Sequence, residues 1–194
     1  MPVKLNSSGG GSVTLTTPST ATDYTATFPA NTGNVVTTGS SGVVTQAMLS
    51  TNVAGNGPIF SASLSAAQTI TNNTWTQVQF NGTQFDTSSA FNVSTYRYAV
   101  PVNGYYFLSA QAYLLGTLTY ATIRIYNNAA STILVYGNQA SAAGAVNASG
   151  FAYLTTSSTI ELQAYITGAG TLQVAASSGS PGQTFLQAAL IRSA

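Results

Sequence analysis

Tyr105-Tyr106-Phe107-Leu108-Ser109-Ala110-Gln111-Ala112-Tyr113-Leu114-Leu115 alternates along its length. Tyr106, Leu108, Ala110, Ala112 and Leu114 fall on one side, with Phe107 and Tyr113 opposite. A period of two is that of an extended strand, whose successive side chains point to opposite faces. The stretch 159–166 repeats the pattern: Ile160, Leu162, Ala164 and Ile166 share a face, and Glu161, Gln163 and Tyr165 take the other. Strands also fit 76–80, 121–126, 132–136, 150–154, 172–176 and 185–192, with Asn, Gly and Ser turns between them. From Pro58 onward the pattern is β. Many short strands joined by such turns predict an all-β protein, a jelly-roll β-sandwich that buries alternate residues between two sheets. Aromatics on both faces predict that some outward faces are buried too, most simply in a subunit interface.

Composition narrows the function. The chain has 194 residues, enough for one full domain and an appendage. Lys and Arg number 4, Asp and Glu 3, so charged residues make up 4% where globular proteins carry roughly 25%. The net charge of +1 offers no basic field for nucleic acid and no acidic field for cations. His and Cys are both absent. That removes the commonest general base, the thiol nucleophile, disulfides and the usual metal ligands. The composition argues against an enzyme, and no cofactor or metal is expected. Hydrophobic residues at 44% and aromatics at 10% exclude the disordered class. The polar residues are overwhelmingly Ser, Thr, Asn, Gln and Gly. A surface of neutral hydrogen-bonding groups repels its own copies weakly, which suits a protein held in an assembly.

The chain divides near residues 39–57. Before that point, 12–16 and 24–28 alternate around a Thr-Pro-Ser-Thr turn, and 35–37 has the look of a third short strand. Residues 1–38 thus read as a small β-rich amino-terminal arm, with Val13, Leu15, Tyr24 and Phe28 as its docking side chains. An arm of about 40 residues has too few apolar groups to make its own core, so it needs copies of itself or a docking partner. Gly9-Gly10-Gly11 reads as a flexible lead. Residues 39–57 form a linker with a short helix at Gln46-Ala47-Met48-Leu49, and 58–194 form the trimerisation domain. No apolar run approaches the roughly 20 residues of a membrane helix, and none follows Met1-Pro2-Val3-Lys4 as in a signal peptide.

Several blocks resemble a known family. Gly57-Pro58-Ile59-Phe60-Ser61-Ala62 is similar to the opening strand of the globular head of complement component one q, a tumour-necrosis-factor-like jelly roll. Val78-Gln79-Phe80-Asn81, Phe85-Asp86 and Ala90-Phe91 resemble its next block. Tyr98-Ala99-Val100-Pro101-Val102-Asn103-Gly104-Tyr105-Tyr106-Phe107 resembles its most specific motif, a strand, a Pro-X-X-Gly turn and an aromatic strand. Gln183-Thr184-Phe185-Leu186-Gln187-Ala188-Ala189-Leu190 resembles the last strand, with Gln187-Ala188 in place of the usual Gly-Phe. The resemblance implies a ten-stranded jelly roll, a tight homotrimer and no catalysis. The near absence of charge, and of a Gly-X-Y stalk, keeps complement-type ligands and calcium from being carried over. The first 60 residues resemble something else: Gly-Gly-Gly-Ser-Val-Thr-Leu-Thr-Thr-Pro, Phe28-Pro29-Ala30-Asn31-Thr32-Gly33 and the stretch 44–52 are similar to segments of bacteriophage tail-fibre and other virion surface proteins.

Phe60, Trp75, Phe91, Pro101, Gly104, Tyr106, Phe107 and Phe185 are the residues expected to hold the jelly roll and its trimer contacts. Trp75 is read as a sheet anchor. Asp86 and Glu161 are the only acids after the arm; a glycosidase would need them paired, and the expected role is a surface position or a pairing with Arg97 or Arg124. The tyrosines from Tyr96 to Tyr165 either form a sugar-stacking surface or, as expected here, fill the core and the trimer interface. Three functions compete. The first is a trimeric capsid decoration (cement) or head-fibre protein, docked through its arm on the major capsid protein or on a tail or vertex protein. The second is a short tail fibre contacting host surface glycans, and the third is a glycan depolymerase. The first is chosen. Its location is the virion surface, reached from the host cytoplasm by lysis, with no nucleic-acid or membrane partner.

Overall fold

The computed structural model describes residues 3–6, 8–10, 12–15, 57–177 and 184–194. Two compact units divide the chain, Met1–Ser41 and Gly42–Ala194, and each is taken by itself. In the first, β1 (Val3–Asn6) and β2 (Ser12–Leu15) form an antiparallel hairpin, with Val3 opposite Leu15 and Asn6 opposite Ser12. Gly10, at φ 86°, occupies the left-handed region in the connection, which glycine enters without a Cβ clash. Gly9 and Gly10, expected as part of a flexible lead, instead turn a hairpin. Val13 and Leu15 lie on β2; Tyr24, Phe28, the third arm strand and the helix at 46–49 lie outside the described residues.

The second unit comprises β3 (Ile59–Ser63), β4 (Gln68–Thr69), β5 (Thr76–Gln77), β6 (Gly82–Asp86), β7 (Phe91–Asn92) and β8 (Arg97–Ala99). It continues with β9 (Gly104–Asn127), β10 (Thr132–Ala140), β11 (Gly144–Leu154), β12 (Thr159–Val174) and β13 (Phe185–Ser193). No helix occurs among the described residues. The sandwich is organised by β9, which belongs to both layers. Its first half pairs with β11 and β13, and β13 continues to β3 and β6. Its second half pairs with β10 and β12, and β12 carries β4, β5 and β8 on its other edge.

The stretches 105–115 and 121–126, read separately from sequence, are one strand of 24 residues bent at a corner. Gly116 sits there at φ 123°. Gly168, opposite Leu118, leaves no room for a side chain: a Cβ would lie 2.2 Å from the Thr117 carbonyl oxygen. The β9–β12 register shifts at the same point, between Thr167 and Gly168. The buried set accordingly changes from even positions (Tyr106 to Leu114) to odd ones (Ala121, Ile123, Ile125). A one-residue slip exchanges the two faces of a strand, so this bulge sets which side chains of the second layer face out. The stretch 159–166 likewise continues past its predicted end to Val174, and 132–136 and 150–154 are the cores of longer strands. Only Thr76–Gln77 of the strand expected over 76–80 is paired as one.

The core lies between the layers. Tyr106, Leu108 and Leu114 meet Ile123, Ile125, Ile160, Leu162 and Ile166, all fully buried. Each such side chain contributes about 1.5–3 kcal/mol on removal from water. Phe60 stacks on Tyr98 at 4.0 Å between ring centroids and 6° between planes, and on Phe91 at 5.8 Å. The Pro101–Gly104 turn is locked from both sides. The Tyr106 hydroxyl donates to the Val102 carbonyl at 2.8 Å, and a Cβ on Gly104 would lie 2.4 Å from the Arg192 carbonyl oxygen. Phe60, Tyr106 and Gly104 are thus core residues, and Phe91 packs on the core edge. Trp75 is half-buried on the outward face of the second layer, because the loop before β5 is laid across β12 rather than into the core. Phe107 and Phe185 also point outward, by strand alternation with the buried Leu108 and Leu186, and Pro101 is half-buried.

Candidate functional site

Each layer presents an aromatic surface. On the first, the β9–β11 register places Phe151 opposite Phe107 and Tyr153 opposite Tyr105. Both pairs have ring centroids 5.3 Å apart, tilted by 57° and 58°. These rings are on the outward parity, and Phe151 is 71% exposed. The row runs on through Ala189 to Ile59, because Phe107 pairs with Ala189 and Ala189 with Ile59. Phe85, opposite Ser61 on β6, is exposed at its far end. Between Phe107 and Phe85 the small side chains of Ser109 and Ala189 leave a shallow hollow of about 230 Å³.

The second layer carries a cleft of about 730 Å³. The register builds it: Tyr165 of β12 lies opposite Thr122 of β9, Thr167 opposite Tyr120, and Thr122 opposite Gln139 of β10. Trp75 closes one side, 5.3 Å from Tyr165 and 6.2 Å from Tyr136 between ring centroids. Tyr120 meets Tyr165 edge-on at 6.0 Å. Gly137 shapes the opposite wall. The β10 register breaks between Tyr136 and Gln139, and a Cβ at Gly137 would lie 2.7 Å from the Ile123 side chain. Trp75 is held in place by the loop before it: the Asn73 amide donates to the Ile166 carbonyl at 2.8 Å, and the Tyr165 hydroxyl donates to Asn73 Oδ1.

Beside the cleft runs a hydrogen-bonded chain. Arg124 Nε donates to Gln163 Oε1 at 2.7 Å, and Gln163 Nε2 to Glu161 Oε1 at 2.5 Å. Glu161 Oε2 accepts from Arg97 Nε at 2.6 Å and Gln77 Nε2 at 2.9 Å. The Arg124 guanidinium lies 4.1 Å over the Trp75 ring and 4.7 Å over Tyr126. Glu161 therefore pairs with Arg97, one of the two arginines expected, but from a buried position. Asp86 pairs with neither arginine; its two oxygens accept the Ser88 and Phe91 backbone amides and fold the turn after β6. Both acids are used locally. The cleft was concealed in the sequence because its members come from three strands and a loop, and only the register brings them together.

An antiparallel sandwich of this topology is a jelly-roll member of the all-β architectures. The model of the C1q domain matches residues 59–168, more than half of the chain, and the chain belongs to that family. The globular domain of zebrafish complement 1qA is similar in structure: TM-score 0.52, 17% identity, 71% of this chain and 99% of that one. Eiger TNF from S. frugiperda gives 0.55 at 12% identity, covering 71% and 95%, and murine APRIL at pH 8.0 gives 0.52 at 16%, covering 68% and 96%. Identities this low establish the fold alone. No curated protein matches the chain. C1q and TNF domains self-associate into trimers and are typically structural or signalling rather than enzymatic, and no enzymatic family is indicated.

Proposed function

We propose that the protein is a non-enzymatic structural protein of a bacteriophage virion surface, a homotrimeric capsid decoration or head-fibre protein. The observation that carries the trimer is the first layer's outward face, where Tyr105, Phe107, Phe151 and Tyr153 stand exposed in register beside a hollow. An apolar sheet face of this kind is stable in water only when covered, and three copies closing about a threefold axis cover it without leaving an edge. The arm, with residues 1–38, docks on the major capsid protein or on a tail or vertex protein. The charge-poor surface and the arm's likeness to virion segments support that reading. Three arms on one rigid head act by avidity, each adding little alone.

The cleft on the second layer favours the second reading, a short tail fibre whose head contacts host surface glycans. Copy number separates the two. Quantitative mass spectrometry of purified particles, against the major capsid protein, gives on the order of hundreds per particle for a shell-wide decoration protein and on the order of tens or fewer for a fibre. Finding none overturns the virion assignment. Deleting residues 2–40 is expected to leave a soluble trimer that no longer binds particles; a truncated protein that still decorates them overturns the docking role.

A further inference from the structure

We infer that the second-layer cleft is a binding site for neutral carbohydrate, with Trp75, Tyr136 and Tyr165 as its stacking platform and Thr167 and Gln139 as its polar rim. The inference deepens the receptor-binding reading above by naming the site and the ligand class.

The ligand class follows from the lining. A sugar ring presents C–H groups on its flat faces and hydroxyls around its edge. The C–H groups carry partial positive charge and lie favourably on the negative faces of aromatic rings. The hydroxyls need neutral donors and acceptors set beside those rings. The cleft supplies both: three rings from a loop and two strands, with Tyr136 and Tyr165 each within 6.2 Å of Trp75, and amide and hydroxyl groups from the facing strands. Its volume of about 730 Å³ falls in the range of small-ligand sites, roughly 300–1,000 Å³.

Charge decides between sugar classes. None of the side chains lining the cleft is charged. The cation beside the cleft among the described residues, Arg124, is already engaged: Nε donates to Gln163, and the guanidinium lies over both the Trp75 and Tyr126 rings. An acidic sugar would lose water from its carboxylate in this cleft with no free cation in the lining to replace it. A neutral glycan has no such penalty. The Arg124 guanidinium lying over the indole also fixes the ring that a sugar would stack on, together with the Asn73 bond to Tyr165. A platform held before the ligand arrives loses little entropy on binding.

Trp75 is the only tryptophan in the chain, so intrinsic indole fluorescence reports on this cleft. The full-length protein is titrated with cellotriose and maltotriose as neutral probes and with sialyllactose as an acidic one. A saturable emission change with a neutral probe is expected, with a Kd on the order of 1 mM per site. Tyr136→Ala is expected to weaken it at least about tenfold. Tyr136 is 60% exposed, so its truncation leaves the fold intact, as an unchanged melting temperature verifies. Because Trp75→Phe removes the reporter, that variant is read by calorimetry, and loss of heat is expected. No saturable change with either neutral probe overturns the inference, as does binding of sialyllactose alone or unchanged affinity in Tyr136→Ala. Binding is read on the isolated protein and copy number on particles, so failure of one leaves the other standing.

Discussion

Phe107 and Phe151 face each other across the β9–β11 ladder, ring centroids 5.3 Å apart, and both point away from the core. Cross-strand aromatic pairs strengthen a sheet by roughly 0.2–1 kcal/mol. Yet a sheet that needs only pairing strength has no reason to place its largest apolar rings in water. The double variant Phe107→Ser/Phe151→Ser is expected to abolish the proposed trimer, leaving a monomer with an unchanged far-ultraviolet circular dichroism spectrum. Sedimentation equilibrium measures this, and a variant that stays trimeric removes these rings from the interface.

Two buried tyrosines offer opposite outcomes for one change. The Tyr106 hydroxyl donates to Val102, whereas the Tyr98 hydroxyl is buried with no hydrogen-bond partner among the described residues. Tyr98→Phe is expected to raise stability by about 1 kcal/mol, because an unsatisfied polar group leaves the core. Tyr106→Phe is expected to lower it by about 1 kcal/mol, because the carbonyl loses its donor. Chemical unfolding gives both numbers, and equal signs would refute the contrast.

The same pair makes stability fall in alkali. Burial raises the Tyr106 hydroxyl from 10.0 to about 12, and burial, reinforced by Tyr106 and Asp86 nearby, raises Tyr98 further. Above about pH 10 the unfolded chain ionises both phenols while the folded chain keeps them protonated. The unfolded state then binds fewer protons, so stability is full below about pH 10 and declines as the pH rises through about 12. The decline in unfolding midpoint over this window is expected to be shallower in Tyr98→Phe/Tyr106→Phe, and identical slopes would contradict the assignment.

Glu161 is buried, with three side-chain donors, Arg97, Gln77 and Gln163. Arg97→Ala leaves a buried carboxylate without its cation and is expected to destabilise by about 3–5 kcal/mol. Differential scanning calorimetry tests it. Replacement of Asp86 leaves two turn amides unpaired at a half-buried site, and the smaller loss expected there is about 1 kcal/mol.

Glycine positions divide cleanly by the space around them. Gly104→Ala places a methyl 2.4 Å from the Arg192 carbonyl oxygen, so the β9–β13 ladder must open, and a loss of about 2 kcal/mol or more is expected. Gly144→Ala meets nothing within 4 Å and is expected to be neutral or stabilising by about 0.4–1 kcal/mol. Thermal melts of the two variants compare them directly.

The layers were legible from the sequence wherever alternation was long. Tyr106 to Leu114 and Ile160 to Ile166 announce a buried face, because a strand's side-chain period of two is local and needs no partner. The Pro101–Gly104 turn was legible for a similar reason, being written in adjacent residues. The corner in β9 was not. Its bend depends on Gly116 meeting Leu172, and on Gly168 meeting Thr117, contacts about fifty residues apart in sequence. The hairpin of β1 with β2 was concealed as well, since Val3–Asn6 is a strand only through its pairing.

By itself the sequence determined what chemistry this protein lacks, which positions alternate, and that the fold is a sandwich of strands, because composition and periodicity are properties of the chain alone. Tertiary structure decided where the outward aromatics go. Tyr105 and Tyr165 have the same outward parity in their strands, yet register sends one to the exposed row beside Phe107 and the other to the cleft beside Trp75. Parity is local, but neighbours across a sheet are chosen by register, and register is set by bulges and corners that pair distant residues.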